Sequence, residues 1–196
     1  AKVVLFDVDG VLADFLSAFY REAKCIDISV NVAFAHTSKS WHEFNSISKE
    51  VVEATWEKIK STPYWWMSLK PLLCKQTLER INLLHIRHEV YFVTSRILTV
   101  GESVQYQTKF WLHEQGIYHA AVISTPKKGD IAKAVKADFS IDDKWENAQC
   151  VHWLTEGATK SYLLNRPYNQ VEAEVGSRRV VRVNTAEEYL DVIEKS

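Results

Sequence analysis

The chain has 196 residues, 46% of them hydrophobic, which suffices for one sizeable domain, or a domain with a modest insertion, around a real core. Its 24 basic and 25 acidic residues leave a formal charge of −1, which excludes the concentrated basic surface needed to wrap a nucleic-acid backbone but allows a small anionic substrate. Cys25, Cys74 and Cys150 lie far apart without a CxxC pair, so neither a disulfide framework nor a zinc site is expected, and the thiols read as reduced and mostly buried.

The chain enters Lys2-Val3-Val4-Leu5-Phe6 without a basic region or cleavage site, and no apolar run approaches the ~20 residues of a membrane span, so a cytoplasmic location is expected. The first strand is predicted from Val3 to Phe6, and the next from Val90 to Val93. Asp9 and Thr94, just beyond these strands, lie 85 positions apart. A strand, crossover helix and strand need only about 30 or somewhat more, so something is inserted.

The insertion, roughly Asp14 to Arg87, reads as helical: Val52, Thr55, Trp56 and Ile59 fall at i, i+3, i+4 and i+7, and Leu78, Ile81 and His85 recur similarly. Residues 15–74 are expected to form a helical cap, with residues 1–14 and 75–196 as the core. Beyond Val93, a helix is predicted over Glu102 to Gln115, carrying Val104, Thr108, Trp111 and Leu112 and stopped by Gly116. Further strands are expected at Ala120 to Ile123, Phe139 to Ile141, Tyr162 to Leu164 and Val180 to Val183. A last helix opens on Thr185 with Glu188 three residues on, a capping-box pattern, and sets Ala186, Leu190 and Ile193 on one face. Continuous apolar strands alternating with helices indicate an α/β, doubly wound, mainly parallel sheet with a small helical cap inserted after the first strand.

Chemistry-bearing residues collect at the predicted strand ends. Asp7 and Asp9 follow the first strand, and Gly10 lets the backbone turn there, at the carboxyl edge where open α/β folds place their sites. Two carboxylates so close call for a cation. A calcium loop starting at Asp7 would put Val11, Leu12 and Ala18 at its fifth, sixth and twelfth positions, where oxygen ligands and a glycine are required, so that reading fails. Thr94-Ser95-Arg96 ends the second strand, Lys127-Lys128 follows the third and Asp142-Asp143 the fourth. None of the seven histidines shows metal-ligand spacing, and none is assigned a catalytic role.

The order Asp7-x-Asp9-Gly10, Thr94-Ser95, Lys127-Lys128, Asp142-Asp143 resembles the four motifs of the haloacid dehalogenase (HAD) superfamily over the core. Asp7-Val8-Asp9-Gly10-Val11-Leu12-Ala13-Asp14-Phe15, with Thr94-Ser95 and Tyr162-Leu163-Leu164-Asn165-Arg166-Pro167-Tyr168-Asn169, is more closely similar to the 5'(3')-deoxyribonucleotidase family. The resemblance implies a phosphomonoesterase with Mg²⁺ held by Asp7, the Asp9 main-chain carbonyl and Asp142. In it Asp7 is the nucleophile and Asp9 the proton donor and acceptor. Lys128, aligned better than Lys127 with the family lysine, would stabilise the phosphoryl oxygens together with the Thr94 hydroxyl and the Ser95 and Gly10 amides. Asp143 would orient the lysine or help hold metal-bound water.

Arg96 departs from that family's pattern, where proline is expected after Thr-Ser, and its two readings are a contact to substrate phosphate or sugar and a pair with a cap acid. Trp41, Phe44, Tyr64, Trp65 and Trp66 are candidate contacts for a nucleotide base, whereas Trp56 reads as the cap's own core. The expected partner is a small phosphate ester, a nucleoside monophosphate under the resemblance, with no nucleic-acid polymer and no membrane; a homodimer is compatible with it. A phosphatase or phosphomutase acting on a non-nucleotide ester, and a silent nucleotide-binding protein, are the rival readings.

Overall fold

The computed structural model describes residues 1–38, 44–170 and 179–196. Six parallel strands form one sheet: β1 (Val3–Phe6), β2 (Glu89–Thr94), β3 (Ala121–Ser124), β4 (Phe139–Asp142), β5 (Lys160–Leu164) and β6 (Val180–Val183), in the order β3-β2-β1-β4-β5-β6. Among the described residues the α-helices are α1 (Phe15–Ile26), α2 (Lys49–Ser61), α3 (Lys75–Leu83), α4 (Val104–Glu114), α5 (Lys128–Ala134), α6 (Trp145–Leu154) and α7 (Ala186–Glu194).

Alternate residues of β1 face opposite layers, as a strand requires. Phe6 packs on Phe92, with ring centroids 5.7 Å apart, and edge-on to Tyr189 of α7 at 5.3 Å. Leu5, pointing the other way, joins Val93 with Ala132 of α5 and Val151 of α6 in a second cluster. Helices therefore cover both faces, and the strands lose the inside-outside alternation of a one-sided sheet. The predicted caps form where their chemistry allows: Thr185 accepts from the Glu188 N–H at 3.2 Å, and the Glu188 carboxylate accepts from the Asn184 N–H at 2.9 Å.

Between β1 and β2, Asp14 caps α1 by accepting from the Ser17 N–H, and Ser48 caps α2 by accepting from the Val51 N–H. The two helices pack through aromatic rings: Phe15 stacks on Trp56 at 5.6 Å and Phe19 meets the same ring at 5.0 Å, while Phe44, ahead of α2, stacks on Phe19 at 4.2 Å. The stripe read from Val52 to Ile59 is real, with Thr55 and Ile59 buried. α3 lies against α7, where Arg80 pairs with Asp191 and Glu194.

The thiols correct one expectation. All three are free, but none is buried. Cys74 is the N-cap of α3, and Cys25 falls off the α1 stripe of Phe15, Leu16, Phe19, Tyr20 and Ala23, so the helical period turns it outward. No helix among the described residues is long and apolar enough to cross a membrane.

Candidate active site

The sheet order reverses direction at β1: the chain runs out through β2 and β3, then crosses back to β4. Open α/β sheets form a crevice beyond the carboxyl ends of the strands at such a switch point. Asp7 stands there because its N–H continues the β1–β4 pairing, donating to the Ile141 carbonyl at 3.0 Å, while Asp142 ends β4 and Lys128 opens α5 after β3.

Lys128 is buried, and its Nζ lies 2.7 Å from Asp7 Oδ1 and 2.6 Å from Asp142 Oδ2. Burial opposes its charge, but Asp142 and Asp7 outweigh burial and hold the ammonium above the ordinary lysine range. Lys127, the N-cap of α5, is exposed. Burial, followed by repulsion from Asp142, pushes the Asp7 carboxyl well above its usual range, and Lys128 opposes that rise. The Val8 N–H also donates to Asp7 Oδ1, at 2.7 Å, so Oδ2 takes neither bond. Asp142 Oδ1 accepts from the Lys144 N–H at 2.9 Å and from Asn147 Nδ2 at 3.0 Å, which fixes this carboxylate from the first turn of α6.

Asp7, Asp142 and Asp143 each offer an oxygen within 4.8 Å of the others. Asp143 gives one oxygen to the Tyr168 hydroxyl, while Oδ1 is buried without a hydrogen-bond partner among the described residues. Burial first, then repulsion from Asp142, raises Asp143 to about 6. Three buried carboxyls around one ammonium carry surplus negative charge, and an orphaned oxygen within the group is a ready ligand. An all-oxygen donor set of this kind fits a hard divalent cation such as Mg²⁺.

Gly10 turns the chain with φ +81°, and a Cβ there would fall 1.9 Å from Asp143 Oδ2 and 2.9 Å from the Tyr168 hydroxyl. The expected donation from the Gly10 amide to phosphate is corrected by its actual partner. That N–H already donates to the Ala13 carbonyl at 2.9 Å, closing the turn into α1. The Gly10 carbonyl accepts twice from Arg166, at 2.9 and 2.7 Å. Asn169 Nδ2 donates to the Asp143 and Leu164 carbonyls, each at 2.8 Å. The Arg166-to-Asn169 segment therefore buttresses the turn and the acidic pair from behind. No local pattern in the sequence announces that role.

Thr94 ends β2 fully buried, with its hydroxyl 3.4 Å from Asp9 Oδ2, and exposed Ser95 borders the pocket. Arg96 borders the pocket, and its acidic partner is Asp9 rather than an acid of residues 15–74. Its Nε donates to Asp9 Oδ2 at 2.9 Å and Nη2 to Asp9 Oδ1 at 2.8 Å. That carboxylate stands at the pocket floor, and the Arg96 side chain beside it has no exposure to solvent.

Above this floor opens a pocket of about 660 Å³. Asp7, Asp9, Ser95, Arg96, Lys128 and Asn147 give it polar lining, and Phe15, Phe44, Val52, Trp56 and Trp66 give it an apolar, largely aromatic wall. Of the candidate aromatics, Phe44 and Trp66 line the pocket. Tyr64 is exposed, with its ring against Gly101, and Trp65 is buried, donating from Nε1 to Glu22 at 3.1 Å; neither borders the pocket. Trp41 lies outside the described residues. Trp56, read as core, both packs against the core and faces the pocket, and Phe15 was missed as a pocket residue although it closes the Asp7-to-Phe15 segment that carries the family resemblance. Asn147 was missed as well; its signal was a polar residue one turn into the helix after Asp142-Asp143.

A sheet in this order, with an acidic pair after its central strand, defines a HAD-like hydrolase fold. Solved structures agree. D,D-heptose 1,7-bisphosphate phosphatase from Burkholderia thailandensis superposes with TM-score 0.57 at 12% identity, covering 100% of each chain. A HAD family hydrolase from Deinococcus radiodurans R1, solved with bound phosphate and sodium, gives 0.58 at 12% identity over 98% of this chain and 95% of that one. L-2-haloacid dehalogenase from Xanthobacter autotrophicus gives 0.58 at 10% identity over 98% of each. At such identities the likeness establishes the fold alone. Among curated proteins, no sequence matches the chain.

Over residues 1–193 the chain matches the family described as 5' nucleotidase, deoxy (Pyrimidine), cytosolic type C, and it belongs to that family. It is a phosphomonoester hydrolase with a HAD-like fold.

Proposed function

We propose that this phosphatase hydrolyses deoxyribo- and ribonucleoside 5'-monophosphates in the cytoplasm through an aspartyl-phosphate on Asp7, with residues 15–74 as the cap that selects the substrate. The observation that carries this reading is Lys128 bridging Asp7 and Asp142 at the floor of a pocket that is also lined by aromatic rings.

A phosphate monoester is nearly a dianion at neutral pH, and each unit pair of like charges repels by about 4 kcal/mol at 4 Å for an effective dielectric near 20. Asp7, the Asp9 main-chain carbonyl and Asp142 would hold Mg²⁺, with Asp143 supporting it, and the cation would neutralise charge on the phosphate and the carboxylates. Lys128 supplies positive charge from within the chain. Asp7 Oδ2, which takes neither of the bonds made to Oδ1, attacks phosphorus, and the ester oxygen departs with a proton from Asp9. Asp9 then accepts a proton from the water that opens the acyl phosphate. Ser95, at the pocket edge just after β2, would orient the phosphoryl oxygens, with Thr94 buried behind it and its hydroxyl near Asp9.

The wall of Phe15, Phe44, Trp56 and Trp66 suits a flat base, since aromatic stacking contributes about 1 to 3 kcal/mol per base. A panel of nucleoside monophosphates and sugar phosphates, assayed with Mg²⁺ and with EDTA, tests the assignment. Phosphate release from the nucleotides, abolished by EDTA, is expected. Hydrolysis of sugar phosphates alone would reassign the substrate.

A further inference from the structure

Arg96 places a full positive charge where its side chain has 0% exposure, a costly arrangement unless the charge is paired and hydrogen-bonded. All three nitrogens are matched. Nε and Nη2 fork onto the two oxygens of Asp9 at 2.9 and 2.8 Å, and Nη1 donates to Thr108 Oγ1 of α4 at 3.0 Å. The guanidinium also lies on the face of Trp66, 4.8 Å from the ring centroid. Trp66 is held in turn by its Nε1 donating to the Ile97 carbonyl at 2.8 Å. Arg96 is thus fixed from the core helix on one side and from the aromatic wall on the other, with Asp9 at the end of the fork.

We infer that Arg96 is the positioning residue of Asp9, setting this carboxyl at the pocket floor so that its proton reaches the departing ester oxygen. A planar fork fixes both the place and the rotation of a carboxyl group, which a lone hydroxyl contact such as that of Thr94 at 3.4 Å does not. The fork leaves room for the transfer. A carboxylate oxygen has two acceptor sites, and the bond from Nη2 uses one of those on Oδ1. The proton leaves Asp9 for the ester oxygen as the P–O bond breaks, and Arg96 exchanges none. Because Trp66 faces the pocket and carries Arg96 on its ring, a substrate packed on that wall presses on the group that aims Asp9.

This role rests on Asp9 assisting the leaving group, so the test varies the leaving group. A nucleoside 5'-monophosphate must expel an alkoxide and needs the proton; p-nitrophenyl phosphate expels a stable phenolate and does not. For Arg96→Gln, kcat/KM is expected to fall about 100-fold on the nucleotide and no more than about threefold on the aryl ester, with Arg96→Lys no better because an ammonium cannot fork. Asp9→Asn should show the same split, and the double variant should be no worse than Asp9→Asn alone. Thr108→Val removes only the Nη1 acceptor, and should give a smaller split of the same sign even where Arg96→Gln does not fold. Equal losses on both esters in the Arg96 and Thr108 variants would overturn the positioning role. If Asp9→Asn itself shows no split, the assignment of Asp9 as proton donor falls instead.

Discussion

The two sides of the pocket are built on different physics. On the floor, charges are buried and nearly every polar atom has a stated partner: Lys128 between two carboxylates, Asp142 held by Asn147 and the Lys144 amide, Asp9 in the Arg96 fork. On the wall, Phe15 stacks on Trp56 and Phe44 on Phe19, whose ring in turn meets Trp56, so ring packing sets their orientation. Buried charges tolerate almost no misplacement, because an unpaired one costs several kcal/mol. Stacked rings lose energy gradually with displacement. The floor is therefore suited to one reaction geometry and the wall to a class of flat leaving groups.

The sharpest way to break this contrast is Asp7→Asn, which keeps shape but removes the nucleophile. Phosphate release should drop by about 10⁴-fold or more while the thermal melt persists, and a variant with substantial turnover would refute the assigned role. Tyr168→Phe deletes one hydroxyl behind the floor and leaves the wall untouched. It frees the second oxygen of Asp143, and Mg²⁺ affinity should change by about 10- to 100-fold, read from the metal dependence of activity.

The pH dependence has a definite sign. Asp143, raised to about 6 by burial and then by Asp142, holds its proton in the folded metal-free chain at pH values where the unfolded chain has lost it. Stability of the metal-free protein should fall as pH rises from about 4 to about 6. Cation binding needs the ionised form, so its affinity should weaken about tenfold for each unit below 6, followed by calorimetry. The smallest effect belongs to the wall: Trp56→Leu should cost about 1 kcal/mol of stacking, roughly fivefold in KM for a nucleotide, and leave a base-free sugar phosphate unaffected. A loss shared equally by both would show that Trp56 supports the fold more than the base.

Much of the floor was legible because consecutive parallel strands bring their carboxyl ends to one edge. Asp7, Thr94, Lys128 and Asp142 needed only to be recognised as residues at strand ends to be placed together. The cysteines and the Gly10 amide misled, since composition says that thiols tend to be buried and a motif says where a glycine sits. Neither says which way a helix turns Cys25, nor that Ala13 already occupies the Gly10 N–H. The three aromatics after Pro63 show the same limit: adjacency in the chain sent Tyr64 outward, Trp65 toward Glu22 and Trp66 into the pocket.

By itself the sequence determined the alternation of strands and helices, the insertion after the first strand and the order of the acidic, hydroxyl and basic groups along the sheet edge. These follow from hydrophobic period and from turn chemistry, which are local. Only the tertiary structure decided that Arg96 reaches Asp9, that Tyr168 stands behind Asp143, and that Trp56 looks into the pocket as well as into the core. Those pairings join residues 87 and 25 positions apart, and the side-chain directions that make them are set by packing between elements, which no local period encodes.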